Sequence, residues 1–143
     1  MAQQETIERI LGYTRRIAVV GLSPRPHRPS HAVSQRLRDQ GYEVVPVNPA
    51  AEGVFGLRSY PSLREVPGQV DLVAAFRRPK YLKDVARQAV AIGARAFWMQ
   101  SGLWSDEATA IAEAAGLDVV DDRCLAVEVD CFASRRLAGA GAR

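Results

Sequence analysis

The sequence predicts an α/β fold: a doubly wound, mainly parallel sheet of five strands with helices on both faces. Two observations carry this. Five short runs, RRIAVVG, YEVVPVNP, DLVAAF, ARAFWMQ and LDVVDD, are apolar at consecutive rather than alternate positions, so each must be buried on both faces. Between them lie segments whose apolar residues recur three and four apart, and such helical crossovers between parallel strands are right-handed.

Residues 6–13 are expected to form a short amphipathic helix, with Ile7, Ile10 and Leu11 on one side. The first strand follows, and SHAVSQRLRDQG then places Val33, Leu37 and the stem of Arg36 along one helical stripe that stops at Gly41, a residue suited to the left-handed cap. After the second strand comes PAAEGVFGLRSYPSLREVPGQV, rich in turn residues, in which Ser62 to Val66 suggests one helical turn. The third strand is residues 71–76. PKYLKDVARQAVAIG has proline in its first turn, Leu82, Val85, Ala89 and Ile92 on one face and Gly93 as terminator. The fourth strand leads to SDEATAIAEAAG, where Ser105 caps a helix with Asp106 and Glu107 in its first turn. The fifth strand is followed by a closing helix over 124–137 and a flexible tail at 138–143.

With 143 residues and 48% apolar content, the chain predicts one domain, 1–143, with its core over about 10–130. Lys and Arg exceed Asp and Glu by only three, with part of that excess in ASRRLAGAGAR, and no basic stripe suggests nucleic acid. No apolar run is long enough for a membrane span, and MAQQETIERI lacks the charged and apolar regions of a signal peptide, so a cytoplasmic location is expected. Cys124 and Cys131 are seven residues apart, about 10 Å along a helix, beyond disulfide reach; reduced thiols are expected.

In an open parallel sheet, ligands bind beyond the carboxyl ends of the strands, where the strand order reverses. The segments leaving the first four strands, GLSPRPHRPS, NPAAEG, RRPK and QSGLWS, bring Arg25, Arg28, Arg77 and Arg78 to that end. Gly21 lets the chain turn sharply, Ser23 offers a hydroxyl, and Ser30 begins a helix whose free amides face the same space. Such a cradle suits phosphate oxygens, and Phe76 is placed to stack on a purine or to serve as ordinary core.

Several chemistries lack their residues. A dinucleotide fingerprint needs two further glycines after Gly21 and an acid after the second strand, where Asn48 and Pro49 stand. A Walker loop needs a lysine that GLSPRPHRPS does not have. GLSPR has Arg25 where a nucleophile elbow has its second glycine, and no acid and histidine follow in order. His27 and His31 are separated by Pro29, which keeps both off one helix and argues against a metal pair. Asp121 and Asp122 are adjacent, so their side chains diverge instead of pairing as acid and base. Cys124 follows DDR at an expected helix start, a place for either a reactive thiol or a buried structural one.

Taken together and in order, VVGLSPRPHRPS, VVPVNP, FRRP, WMQSG and DRC resemble the CoA-binding domain family of small stand-alone prokaryotic proteins, which is similar to the N-terminal domain of the succinyl-CoA synthetase alpha subunit. The resemblance covers about residues 10–130 and implies a Rossmann-like fold that binds coenzyme A. It places the CoA phosphates against Gly21, Leu22, Ser23 and Arg25, near Ser30; Val47, Asn48 and Pro49 along the nucleotide; Phe76, Arg77 and Arg78 on the adenine and phosphate side; and Gln100, Ser101 and Gly102 facing the pantetheine. A carboxylate after the second strand would repel the ribose 3′-phosphate of CoA, which gives its absence a reason. After DRC the family usually continues with proline and IEH, whereas here Leu125, VEV and Asp130 follow.

The synthetase relatives use a phosphorylated histidine in another domain and a partner subunit, and this chain carries neither. The expected function is therefore a CoA or acyl-CoA binding module, non-catalytic or regulatory, with a small molecule as partner and a homo-oligomer as an option. Alternatives are an NAD(P)-linked oxidoreductase or CoA-dependent transferase with an unrecognised active site, and a protein-interaction subunit. A mixed disulfide between Cys124 and CoA requires that sulfur to face the pantetheine end.

Overall fold

The computed structural model describes residues 2–141, with side chains described for residues 3–139. Its elements are α1 (Ala2–Tyr13), β1 (Arg16–Val20), α2 (Pro29–Asp39), β2 (Glu43–Val47), β3 (Gly53–Val54), β4 (Leu57–Arg58), a 3-10 turn (Leu63–Glu65), β5 (Leu72–Ala75), α3 (Pro79–Ala91), β6 (Ala96–Met99), α4 (Asp106–Ala114), β7 (Asp118–Val120) and α5 (Leu125–Gly141).

The main sheet is parallel, in the order β2-β1-β5-β6-β7. This is the doubly wound, Rossmann-like α/β class. Alternate residues of each strand serve opposite layers, as the pleat dictates. Ile17, Val19, Leu72, Ala74 and Trp98 pack with α1, α2 and α5 through Ile10, Leu37 and Val129. On the other face Ala18, Val45, Val73, Phe97 and Met99 meet Leu82, Val85 and Ala86 of α3 and Ala108 and Ala112 of α4. Two-sided burial is why these strands carry consecutive apolar residues. Pro46 is accommodated because β2 is an edge strand.

Helix ends follow their chemistry. The Gly41 amide bonds the Arg38 carbonyl at 2.9 Å and the Tyr42 amide the Leu37 carbonyl at 3.1 Å, with Gly41 at φ 92, so α2 closes in a Schellman motif. Ser105 Oγ accepts from the Ala108 amide at 3.1 Å, capping α4 as expected.

Three boundaries differ from the sequence expectation. The first helix begins at residue 2 rather than 6, its first turn held by the Gln3 amide side chain lying against Asp121. The last helix runs past 137 to Gly141, through part of the expected tail; Arg135 pairs with Glu8 of α1 at 3.5 Å, and no proline stops the turn that follows. The remaining two tail residues lie outside the described residues. The turn-rich stretch contains an antiparallel hairpin, β3–β4, whose central residues Phe55 and Gly56 both have positive φ, 58 and 73. That is the I′ geometry, which favours glycine or asparagine at both positions. Phe55 tolerates it while its ring lies 4.5 Å from that of His31 and 4.7 Å from the Arg38 guanidinium carbon.

Among the described residues, no helix is long and apolar enough to cross a membrane, and no group of His, Cys, Asp and Glu is arranged to hold a metal ion.

Candidate functional site

The chain leaves β1 toward α2 and β2 on one side, whereas the next strand of the main sheet, β5, lies on the other. The loops after β1 and β5 therefore part at adjacent strand ends and open a crevice between them. A cleft of about 720 Å³ lies there, with walls contributed by the loops after β1, β2, β5, β6 and β7.

Gly21 forms its throat. Its amide bonds the Val47 carbonyl at 2.8 Å on one side, and the Phe76 amide bonds the Val20 carbonyl at 2.8 Å on the other. Its φ is 88, and a Cβ there would fall 2.4 Å from the Phe76 carbonyl oxygen. Only glycine fits both the torsion and the gap.

The loop that follows is tied down by short polar side chains. The Ser23 amide donates to Ser30 Oγ at 3.0 Å, and Ser23 Oγ accepts from the Arg25 amide at 3.1 Å. Ser30 is buried in the first turn of α2; the cap position belongs to Arg28 and the first helical residue is Pro29, so Ser30 steadies the loop from inside the helix and does not begin it. Asn48 links the neighbouring loops: its Nδ2 donates to the Leu22 carbonyl at 3.0 Å and its Oδ1 accepts from the Ala50 amide at 2.9 Å. An aspartate could supply only the second of these bonds.

Arg25, Arg28, Arg77 and Arg78 all line the cleft. None of them is paired with a carboxylate among the described residues. Arg77 is steadied instead by stacking 4.5 Å from the Tyr81 ring centroid. The starts of α2 and α3, Arg28–Pro29 and Arg78–Pro79, also lie on the cleft, and neither has the side-chain cap that α4 has. Uncompensated guanidinium charge and two helix starts thus raise the positive potential of one crevice.

Of the residues the sequence pointed to, the cleft brings together Gly21, Ser23, Arg25, Ser30, Asn48, Phe76, Arg77, Arg78, Gln100 and Ser101. Phe76 does double duty, packing on the α1/α2/α5 side of the core while lining the cleft. Four others lie apart from the lining. Leu22 and Val47 are buried in the core and offer only backbone: the Leu22 carbonyl to Asn48, the Val47 carbonyl to Gly21. Pro49 is exposed beside the cleft, and Gly102, at φ 80, turns its amide onto Asp122 Oδ1 at 2.7 Å. His27 is exposed in the loop and His31 packs on Phe55, so the two histidines do not converge.

The lining also includes Pro24, Val33, Ala50, Pro79, Leu103 and Cys124. The sequence places Val33 only on the apolar stripe of the helix; its position one turn beyond Ser30 is the signal that could have brought it to the cleft. Cys124 follows from the strand-end rule once the loop after the fifth strand is included with the other four. It is half-buried, and both it and the exposed Cys131 are free thiols. Gln100 is the least exposed polar group of the lining at 4%. Its Oε1 accepts from the Leu125 amide at 3.2 Å, supplying the first turn of α5, while its Nε2 is buried with no partner among the described residues.

Fold and cleft together define a Rossmann-like α/β domain whose pocket opens at the carboxyl ends of its strands. Comparison with known proteins then gives the family: residues 15–130 match the CoA binding domain, and the chain belongs to that family. It is 43% identical over 121 residues to the Bacillus subtilis (strain 168) protein YneT, spanning 85% of this chain and 90% of that one. It is 39% identical over 71 residues to the ADP-forming acetate–CoA ligase II subunit alpha of Pyrococcus furiosus, a match covering 49% of this chain and only 16% of the ligase subunit. The solved structure of a hypothetical protein from Pyrococcus horikoshii OT3 superposes with a TM-score of 0.86 at 38% identity, covering 90% of each chain.

Proposed function

We propose that the protein binds coenzyme A or an acyl-CoA in this cleft as a non-catalytic, regulatory module. The observation that carries the reading is the set of guanidinium groups, Arg25, Arg28, Arg77 and Arg78, left without carboxylate partners among the described residues around one crevice. Arginine offers planar, multiple donors suited to phosphate oxygens, and CoA carries both a pyrophosphate and a ribose 3′-phosphate. Asn48, standing where a dinucleotide enzyme places its acid, adds no negative charge against that last phosphate. Family membership supports the same ligand.

In this reading Gly21, Leu22 and Ser23 present backbone to the pyrophosphate, with the α2 start beyond them; Val47, Asn48 and Pro49 border the nucleotide; Phe76 faces the adenine; and Gln100, Ser101 and Gly102 border the pantetheine. The ligand is held, not turned over. Calorimetric titration of the reduced protein with CoA, dephospho-CoA and NAD at one salt concentration tests this. CoA is expected to bind, with dephospho-CoA at least about tenfold weaker, or about 1.4 kcal/mol. Equal affinity for NAD, or no binding of CoA, overturns the reading.

A further inference from the structure

Resting on that reading, we propose that Cys124 is a thiol–disulfide exchange site for the thiol end of the ligand. The Cys124 thiolate attacks the symmetric disulfide of two CoA molecules, forming a Cys124 Sγ–sulfur bond to one CoA. The disulfide bond between the two CoA sulfurs breaks, and the second CoA leaves as its thiolate, taking the electron pair. The Cys124 proton goes to solvent, and no further oxidant enters because the incoming disulfide is itself the oxidant.

Position carries the first part of the argument. Across the sheet, the arginines come from the loops after β1 and β5, whereas Cys124 follows β7, beyond β6. The lining thus combines cationic groups from the loops after β1 and β5 with a free, half-buried sulfur from the loop after β7. CoA carries the matching groups, phosphates at one end and sulfur at the other. Leu103 and Val33 add apolar wall, suited to an uncharged arm.

Gln100 supplies the independent observation. Its Oε1 is occupied by the amide of Leu125, the residue after Cys124, while its Nε2 has no partner among the described residues although the side chain is almost wholly buried in the cleft wall. An unsatisfied buried donor calls for an acceptor. The amide carbonyls of a pantetheine arm are such acceptors, and Gln100 shares its cleft with Cys124. Cys131, on the exposed surface of α5, belongs to no such lining and serves as an internal control.

The test incubates the reduced native protein with CoA disulfide, and in parallel with glutathione disulfide, following intact mass and then mapping the modified peptide. Expected is one adduct at Cys124, a mass gain of one CoA less two hydrogens. It should form at least about tenfold faster than the glutathione adduct, be slowed by excess reduced CoA and be reversed by dithiothreitol. Cys131→Ser should retain it and Cys124→Ser should lose it. Equal rates with both disulfides, an adduct at Cys131, or no adduct overturn the proposal. Calorimetry with reduced CoA on the native protein separates the two failures: binding without an adduct sinks the exchange site alone, and no binding sinks the ligand reading as well.

Discussion

At Gly21 two strand ends and a loop meet within van der Waals range, and the sequence signalled the position through one glycine after an apolar run. Gly21→Ala forces a positive-φ alanine against the Phe76 carbonyl and is expected to cost about 1–3 kcal/mol in urea unfolding while abolishing ligand binding. Gly93→Ala, with open space around its Cβ, should carry the torsional cost alone. A second residue, Asp118, lies at the opposite end of the sheet, where Arg9 bonds it at 2.9 Å and the Tyr13 hydroxyl donates to it at 2.9 Å. The Arg9 hydrogen bond, opposed by partial burial and aided by Tyr13, holds its carboxyl below the usual carboxylate range. A depressed folded pKa gives stability that is complete above the unfolded value and lost as pH falls through the folded one. The urea midpoint of the native protein should therefore fall more steeply below about pH 4 than that of Asp118→Asn. No pattern in the sequence announced this cluster, because Asp118 lies more than a hundred residues from both Arg9 and Tyr13.

Elements with strong local chemistry were the legible ones. α3 and α4 carry proline, serine and acidic first turns and glycine stops, so their boundaries lie near those expected. The β3–β4 hairpin was not legible: its strands are two residues each, and its turn uses phenylalanine where the usual signal is asparagine. Ser105→Ala removes the side-chain bond that caps α4 and should destabilise by about 1 kcal/mol, read as a lower melting temperature with ligand affinity unchanged. Leu82→Ala, at a wholly buried site between α3 and the sheet, should cost about 2–5 kcal/mol. The helix starts at the cleft are the exception to good capping, and a feature that reads as a local defect is where the ligand reading finds its use.

For the whole molecule, the fold class and the end of the sheet where the arginine-lined cleft opens were legible from the alternation of strand and helix together with the arginines after the strands. Which loop residues are lining and which are merely backbone was not, since Leu22 and Val47 turn their side chains into the core. A ligand that binds only the folded chain raises its stability by about 2.7 kcal/mol at a hundred times its dissociation constant, so CoA should raise the melting temperature in a dose-dependent way. Arg77→Ala should weaken CoA by about tenfold or more, the loss of charged hydrogen bonds. Arg95→Ala is the control: that guanidinium stacks 3.8 Å from the Tyr13 ring, away from the cleft, and its removal should leave affinity unchanged.

The two rims of the main sheet have a consequence of their own. Along β2, Pro46 presents no amide, and its carbonyl is already taken by the Tyr60 amide at 3.0 Å, while the Tyr60 carbonyl takes the Asn48 amide at 2.8 Å. At the far rim β7 is three residues long and begins with Asp118, whose charge is already engaged. Among the described residues, neither rim offers a run of unspent backbone groups that could template a foreign strand. The folded protein is therefore expected to resist edge-to-edge strand addition when concentrated.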